Sequence, residues 1–262
     1  MRGCPVDPED EDARRRGKVA ILSFGYGGSV RTWRKNVPDD PRTDDEIKAQ
    51  EVNRFREIYP AHTAFMFALE RQALECVASR QPVIGKRHKF TMDGDTLLLH
   101  LASGRALSYP NARIAIGGYG KSVVAYCDTS NNTKEMWYGA WLAHLVSGTA
   151  RDLLAHAMLK LDAAGFEIVL HVHDEVVAEV DADKVDLDLF KRCMLDVPDW
   201  AAGLPLPTKV RVGDRYIKTE GSTPGPTLGP ASGPASVFRR LSVWVFRRLG
   251  VLDAASRRSR CY

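Results

Sequence analysis

The sequence predicts a mixed α/β fold of the α+β kind: an antiparallel sheet with packed helices, joined to a helical segment. Three observations carry this. Residues 13–80 hold long segments with apolar residues at helical spacing. Residues 88–109 change to two short alternating runs around Asp93-Gly94, the strongest local signal for a hairpin. Residues 166–180, FEIVLHVHDEVVAEV, are β-branched and apolar with polar residues at the centre, as a strand–turn–strand requires.

Composition supports a folded chain. Of 262 residues, 44% are hydrophobic and 27% charged, enough apolar surface to exclude disorder throughout. The formal net charge of +4 permits a polyanionic partner without demanding one. No apolar run reaches membrane-spanning length, and the N-terminus MRGCPVDPEDEDARRRG lacks the apolar core of a secretory signal. The expectation is no membrane partner and a cytoplasmic location. Cys4, Cys76, Cys127, Cys193 and Cys261 are scattered without a CxxC pair and read as reduced thiols.

The elements follow in order. Residues 1–12 are polar and acidic and read as a disordered lead-in. Residues 13–26, ARRRGKVAILSFGY, read as a helix punctuated by Gly25, Gly27 and Gly28. Residues 31–44, with Pro38 and Pro41, read as a loop. Thr43 or Asp44 caps a helix over about 44–57, ending before Pro60, and another helix covers about 61–80. After the Asp93-Gly94 hairpin comes a second turn at Ser103-Gly104. Residues 134–164 are helix-rich and stop at Gly165, residues 183–195 form an amphipathic helix, and 208–217, TKVRVGDRYI, read as a final strand. From Gly221 glycine recurs every fourth residue among Pro, Ser and Thr, a linker composition. VFRRL then occurs twice, at 237–241 and 245–249, before the basic end SRRSRCY. That tail reads as a solvated extension, with a nucleic-acid or membrane-surface anchor as the alternative.

Two constellations carry chemistry. Arg14, Lys18, Leu22 and Tyr26 are four apart, so on a helix they form one gently drifting stripe with steps of roughly 6 Å. Two cations at the positive end of the helix dipole and an aromatic ring at the other end suit an elongated ligand with a polyphosphate and a flat base. A solvated basic first turn on a core helix is the plainer alternative. In the second constellation, His171-Val172-His173-Asp174-Glu175, carboxylates stand at a tight turn between apolar strands. Burial there is costly without a cation or hydrogen bonds. Asp174 and Glu175 are therefore candidate Mg²⁺ ligands, since magnesium takes one or two carboxylates plus substrate phosphates; a plain polar hairpin turn is the alternative. A zinc site built on His171 and His173 is disfavoured because no second histidine pair lies nearby. Ala115-Ile-Gly-Gly-Tyr-Gly-Lys121-Ser122 is one glycine short of a phosphate-binding P-loop and runs into β-like SVVAYC instead of a helix.

Together the motifs resemble family A DNA polymerases. RRRGKVAILSFGYGGS resembles motif B, the fingers helix R-x3-K-x7-Y-G, and HVHDEVVAEV resembles motif C, the His-Asp-Glu palm hairpin. SGRALSYP (103–110), ARDLLAHAMLKLDAAG (150–165) and PDWAAGLPLP (198–207) are similar to the phage and prophage branch. The resemblance covers about 13–218. It implies a fingers-like helical segment at 13–87, a palm at 88–218, and a Gly/Pro linker and basic tail at 219–262. It implies that Arg14 and Lys18 contact the triphosphate of an incoming dNTP, that Tyr26 sits against the nascent base pair, and that Leu22 helps judge the sugar. Asp174 would bind Mg²⁺, Glu175 would assist near the metals, and His173 would support the primer strand. His144 and Ser147 stand where relatives carry an Asn and a Gln facing the DNA, and Arg105 is a further DNA contact.

The implied reaction is nucleotidyl transfer from a dNTP to a primer 3′-hydroxyl, with DNA template–primer as partner and a two-metal Mg²⁺ site. Motif A, with the other metal-binding Asp, lies well upstream of motif B in this family, and 13 residues precede Arg14 here. The expectation is half a metal site, inactivity of the chain alone, and a separate chain carrying motif A as a further partner. The alternatives are a non-catalytic nucleic-acid-binding remnant or one half of a split polymerase.

Overall fold

The structure, a computed structural model, describes residues 10–181, 185–213, 216 and 240–247. Helices and antiparallel sheets occur in separate runs along the chain, as the α+β expectation requires. The chain divides into two units, Met1–Gly148 and Thr149–Tyr262.

The first unit opens with α1 (Glu11–Phe24). Asp10 caps it by accepting from the Ala13 N–H at 2.9 Å, and Glu11 and Asp12 complement the helix dipole. Ala20 and Phe24 face inward, and Phe24 stacks on Trp33 with centroids 5.7 Å apart. Trp33 belongs to α2 (Val30–Asn36), a helix within the stretch 31–44 read as loop. Its sequence, VRTWRKN, is too short for periodicity to register. Burial of Trp33 among Phe24, Ile47 and Phe55 stabilises it, so tertiary packing overrides a weak local signal.

The helix expected at 44–57 is present as α3 (Asp44–Ile47), a π-helical stretch Lys48–Asn53, and α4 (Arg54–Ile58). A capping box starts it: the Thr43 hydroxyl accepts from the Glu46 N–H, and the Glu46 carboxylate accepts from the Thr43 N–H at 2.7 Å. Pro60 occupies the first turn of α5 (Pro60–Ser79), where its missing N–H costs nothing. Met66, Leu69, Ala73 and Cys76 form its buried stripe at helical spacing.

Four antiparallel strands follow in sequential order: β1 (Val83–Ile84), β2 (Lys89–Asp93), β3 (Thr96–His100) and β4 (Ala106–Tyr109). Asp93 pairs with Thr96, which puts the turn at Gly94-Asp95 beside the predicted hairpin signal. Phe90, Leu97, Leu99 and Tyr109 point into the core with Trp141. A second, three-stranded meander contains β5 (Arg113–Ile116), β6 (Ser122–Cys127) and β7 (Thr133–Met136). Strand β7 lies where the helix-rich region was expected to begin. Its polar TKEM is held as a strand by pairing with β6, and the helix α6 (Tyr138–Ala163) starts two residues later.

In the second unit, the remainder of α6 contributes Leu154, Ala157 and Leu161 to a core with Phe166, Val176, Ala178, Phe190 and Met194. The expected strand–turn–strand is β8 (Glu167–Val172) and β9 (Glu175–Asp181). The amphipathic helix is α7 (Leu187–Leu195), capped by Asp186, which accepts from the Leu189 N–H at 2.8 Å. Strand β10 (Thr208–Gly213) is present but is not the final strand: β11 (Arg240–Arg247) pairs on both sides, giving the antiparallel order β10-β11-β9-β8. Thus part of the segment read as linker and basic tail runs through the sheet. Its RLSVWVFR has β-branched and aromatic strand character, which the basic repeat disguised.

Candidate functional site

The α1 stripe lies on the outer face of that helix. Arg14, Lys18 and Leu22 are exposed, opposite the buried Ala20 and Phe24. The adjacent cations are committed elsewhere. Arg15 and Arg16 bind the Asp12 carboxylate at 2.8 and 2.7 Å, and these two bonds hold its pKa below the ordinary value. Arg16 also approaches the buried Asp40 at 3.7 Å. Arg14 and Lys18 lie on the exposed face of the helix, and Arg15 and Arg16 fasten its first turn through Asp12.

The aromatic end of the stripe is clamped. Tyr26 is half-buried, and that burial raises its phenol pKa. Gly27 sits at φ +77, and a Cβ built there would fall 2.3 Å from the Tyr138 ring. A Cβ on Gly139 would fall 2.0 Å from the Tyr26 carbonyl oxygen. The His62 imidazole Nε2 adds a 2.7 Å hydrogen bond to the Gly25 carbonyl. Only glycines allow this approach of the helix end to the start of α6, and the contact fixes the Tyr26 backbone.

The predicted DNA-contacting residues are brought together in the same unit. His144 and Ser147 lie on α6, Ser147 exposed and His144 half-buried. The His144 ring stacks on Tyr109 at 11° between planes, and its Nδ1 shares a 3.0 Å hydrogen bond with the Tyr109 hydroxyl. Burial lowers the His144 pKa and so favours the neutral ring. Arg105, after the Ser103-Gly104 turn, donates to the Gly148 carbonyl at 3.0 Å, one residue beyond Ser147.

The His-Asp-Glu hairpin belongs to the second unit. Val172 pairs with Glu175, so His173 and Asp174 form the two-residue turn. His173 adopts φ +52 and its side chain is 90% exposed. Its Nδ1 lies 3.2 Å from the partly exposed Asp174 carboxylate. Glu175 is buried and turns to Tyr216, whose hydroxyl donates to Oε2 at 2.6 Å. That bond to a carboxylate raises the Tyr216 pKa. Sequence reasoning missed this partner: Tyr216 stands 41 residues away in GDRYIK, with no local pattern to mark it. Asp174 suits one position on a hard, oxygen-seeking cation such as Mg²⁺. No group of three metal-ligating His, Cys, Asp or Glu side chains gathers among the described residues. That leaves the His171–His173 zinc arrangement without a third ligand there.

The near P-loop at Ala115–Ser122 is the β5–β6 hairpin: Gly120-Lys121 lead into a strand, so no helix N-terminus faces a phosphate there. Cys76, Cys127 and Cys193 are free thiols, while Cys4 and Cys261 lie outside the described residues. None of the described helices is long and apolar enough to cross a membrane.

In sequence, the chain is similar to the DNA polymerase of Bacillus phage SP02, with 31% identity over 212 residues. The aligned part is 78% of this chain and 33% of that protein, so the chain spans about a third of the length of the curated relative it matches. No family model matches the sequence. No solved structure matches it either.

Proposed function

We propose that this chain is a nucleotide- and DNA-engaging part of a family A DNA polymerase and serves template-directed DNA synthesis. The observation that carries this reading is the α1 face: Arg14 and Lys18 exposed towards one end and Tyr26 fixed at the other by the close packing of Gly27 and Gly139. The similarity to a phage DNA polymerase supports it. In this reading Arg14 and Lys18 hold the triphosphate of a dNTP, Arg as a fork and Lys as a point charge. Tyr26 abuts the nascent base pair and Leu22, alongside, bears on the sugar. Arg105, His144 and Ser147 face the template–primer, whose backbone supplies most of the affinity.

Asp174 is the residue here that would hold Mg²⁺, which when bound neutralises charge on the phosphates. Glu175, held by Tyr216, shapes the field beside it, and His173 is exposed for the primer strand. The primer 3′-oxygen attacks the α-phosphorus, the bond to the β-phosphate oxygen breaks, and pyrophosphate leaves. One ligand-bearing motif is present among the described residues, so the remaining carboxylates come from residues outside them, on the rest of a longer protein or on a separate chain.

The test is equilibrium binding of a fluorescent dNTP to the purified chain. Arg14→Ala/Lys18→Ala should weaken binding about tenfold or more, the scale of two charge-assisted phosphate contacts. Equal affinity of variant and wild type, or no binding by the wild type, would refute the reading. A non-catalytic nucleic-acid-binding remnant would bind DNA and ignore dNTP.

A further inference from the structure

The tip of the β5–β6 hairpin carries side chains that the proposed site leaves unused. We propose that this tip is a contact surface for single-stranded DNA, with Tyr119 as a stacking platform for a base and Arg113 and Lys121 as phosphate contacts. This rests on the DNA-synthesis reading and adds a surface to it.

The geometry of the tip is well defined. The Gly117 N–H donates to the Lys121 carbonyl and the Gly120 N–H to the Gly117 carbonyl, both at 2.9 Å. Gly120 takes φ +71, the left-handed residue that closes a three-residue hairpin loop. A Cβ built on Gly118 or Gly120 would meet nothing within 4 Å, so the flanks of Tyr119 are open. Tyr119 is 95% exposed and Ile116, at the end of β5, is 69% exposed. Large apolar groups this exposed on a hydrogen-bonded turn fit a contact surface better than a fold-stabilising role.

Charge selects the partner. From Thr96 to Cys127 the sequence contains no Asp or Glu, while Arg105, Arg113 and Lys121 are present. Among the described residues the Arg113 guanidinium hydrogen-bonds neutral oxygens, the Asn111 carbonyl and the Thr133 hydroxyl. Lys121 is exposed and acts on the half-buried Glu70 at a distance, without an ion pair between them among the described residues. The Glu135 carboxylate lies beside the base of the loop, its Oε2 3.2 Å from a Cβ built on Gly117. By contrast, Lys134 is engaged by Asp128 at 3.5 Å. An exposed ring at the tip, with Lys121 two residues on and Arg113 at the start of β5, matches the alternation of bases and phosphates along an extended single strand, and such stacking tolerates any sequence. In a duplex the base faces are already stacked on each other and unavailable to the ring.

The test is fluorescence anisotropy of labelled oligo-dT with the full chain at low salt, beside dNTP binding by the same preparation. Tyr119→Ala should weaken oligo-dT binding about tenfold, within the range measured for base–aromatic stacks, and Tyr119→Trp should restore it. Lys121→Ala should lower the slope of log affinity against log salt by about 0.7, one phosphate contact on a single strand. Thermal melting should be unchanged, because the replaced side chain is exposed. If the wild type binds dNTP but Tyr119→Ala holds oligo-dT as tightly as wild type, the hairpin surface is wrong and the polymerase reading stands. The hairpin surface is equally wrong if duplex of equal length binds as tightly as oligo-dT and is weakened to the same extent by Tyr119→Ala. If the wild type binds neither dNTP nor oligo-dT, both fall.

Discussion

Replacing Asp40 with alanine should loosen the helical start of the first unit, and the structure sets the size of the effect. The Asp40 side chain is fully buried in the loop between Pro38 and Pro41. Its Oδ2 accepts from the Trp33 indole Nε1 at 2.8 Å and from Arg42 Nη2 at 2.5 Å. Its Oδ1 accepts from the Arg42 backbone N–H at 3.1 Å and from Nε at 2.9 Å. Breaking a buried ion pair from one side costs about 3–5 kcal/mol. Here Arg42 keeps Glu51 at 2.8 Å and Gln50 at 3.1 Å, which softens the loss. The Trp33 N–H, inside the core, is left without its acceptor, a cost of about 1–3 kcal/mol. Asp40→Ala should therefore lower stability by about 3 kcal/mol. Asp40→Asn, which keeps an acceptor for Trp33, should lose roughly half of that.

Urea denaturation followed by tryptophan fluorescence measures both variants. A deficit below about 0.5 kcal/mol for Asp40→Ala, the ordinary scatter of surface substitutions, would refute the argument. The pH dependence gives a second check. Hydrogen bonds from the Arg42 side chain hold the Asp40 carboxyl well below the usual carboxylate range, outweighing its desolvation. Because the folded pKa is depressed, the stabilisation is complete above the unfolded value of about 3.9 and is lost as pH falls below it. The deficit of Asp40→Ala should hold steady between neutral pH and about pH 5 and shrink only in stronger acid.

Three further outcomes follow from the same structure. Tyr216→Phe removes the donor to the buried Glu175 and should cost about 1–3 kcal/mol in denaturant melts of the chain, whereas an unchanged midpoint would mean the 2.6 Å bond carries no net stability. Gly27→Ala forces a Cβ into the Tyr138 ring at a positive φ, so it should lose more than about 1 kcal/mol and weaken dNTP binding by displacing Tyr26; wild-type behaviour in both assays would refute the clamp. Ending the chain after Lys218 removes β11, which takes the partner from β10 and leaves β9 paired on its β8 side alone, so limited proteolysis should cut the second unit faster, and an unaltered cleavage rate would show that β11 adds nothing to the sheet.

Much of the fold was legible because its signals are local. The Thr43–Glu46 capping box, Pro60 at the first turn of α5, and the turns at Gly94 and Gly104 each act within four residues, so composition and spacing reveal them. The two constellations were legible for the same reason: a four-residue step on α1 and a two-residue turn at His173-Asp174 are backbone periodicities. Exposure was not legible. Phe67, in the apolar run of α5, is exposed at 39%, while its neighbour Met66 is buried.

Sequence alone determined the α+β class, the helix and hairpin order, and the motifs that resemble a polymerase. Tertiary structure decided what packs against those residues. Helix α2 and strand β7 exist because distant partners, Phe55 and β6, reward conformations that their own residues only weakly prefer. Strand β11 pairs with β9 across nearly 60 intervening residues, and the Tyr216–Glu175 bond closes a gap of 41. Side-chain periodicity decays within a few turns of chain, whereas burial and hydrogen-bond satisfaction act wherever the fold brings groups into reach. That is why the motif residues could be named from sequence, while the partners that hold them, Asp40, His62, Tyr109 and Tyr216, could not.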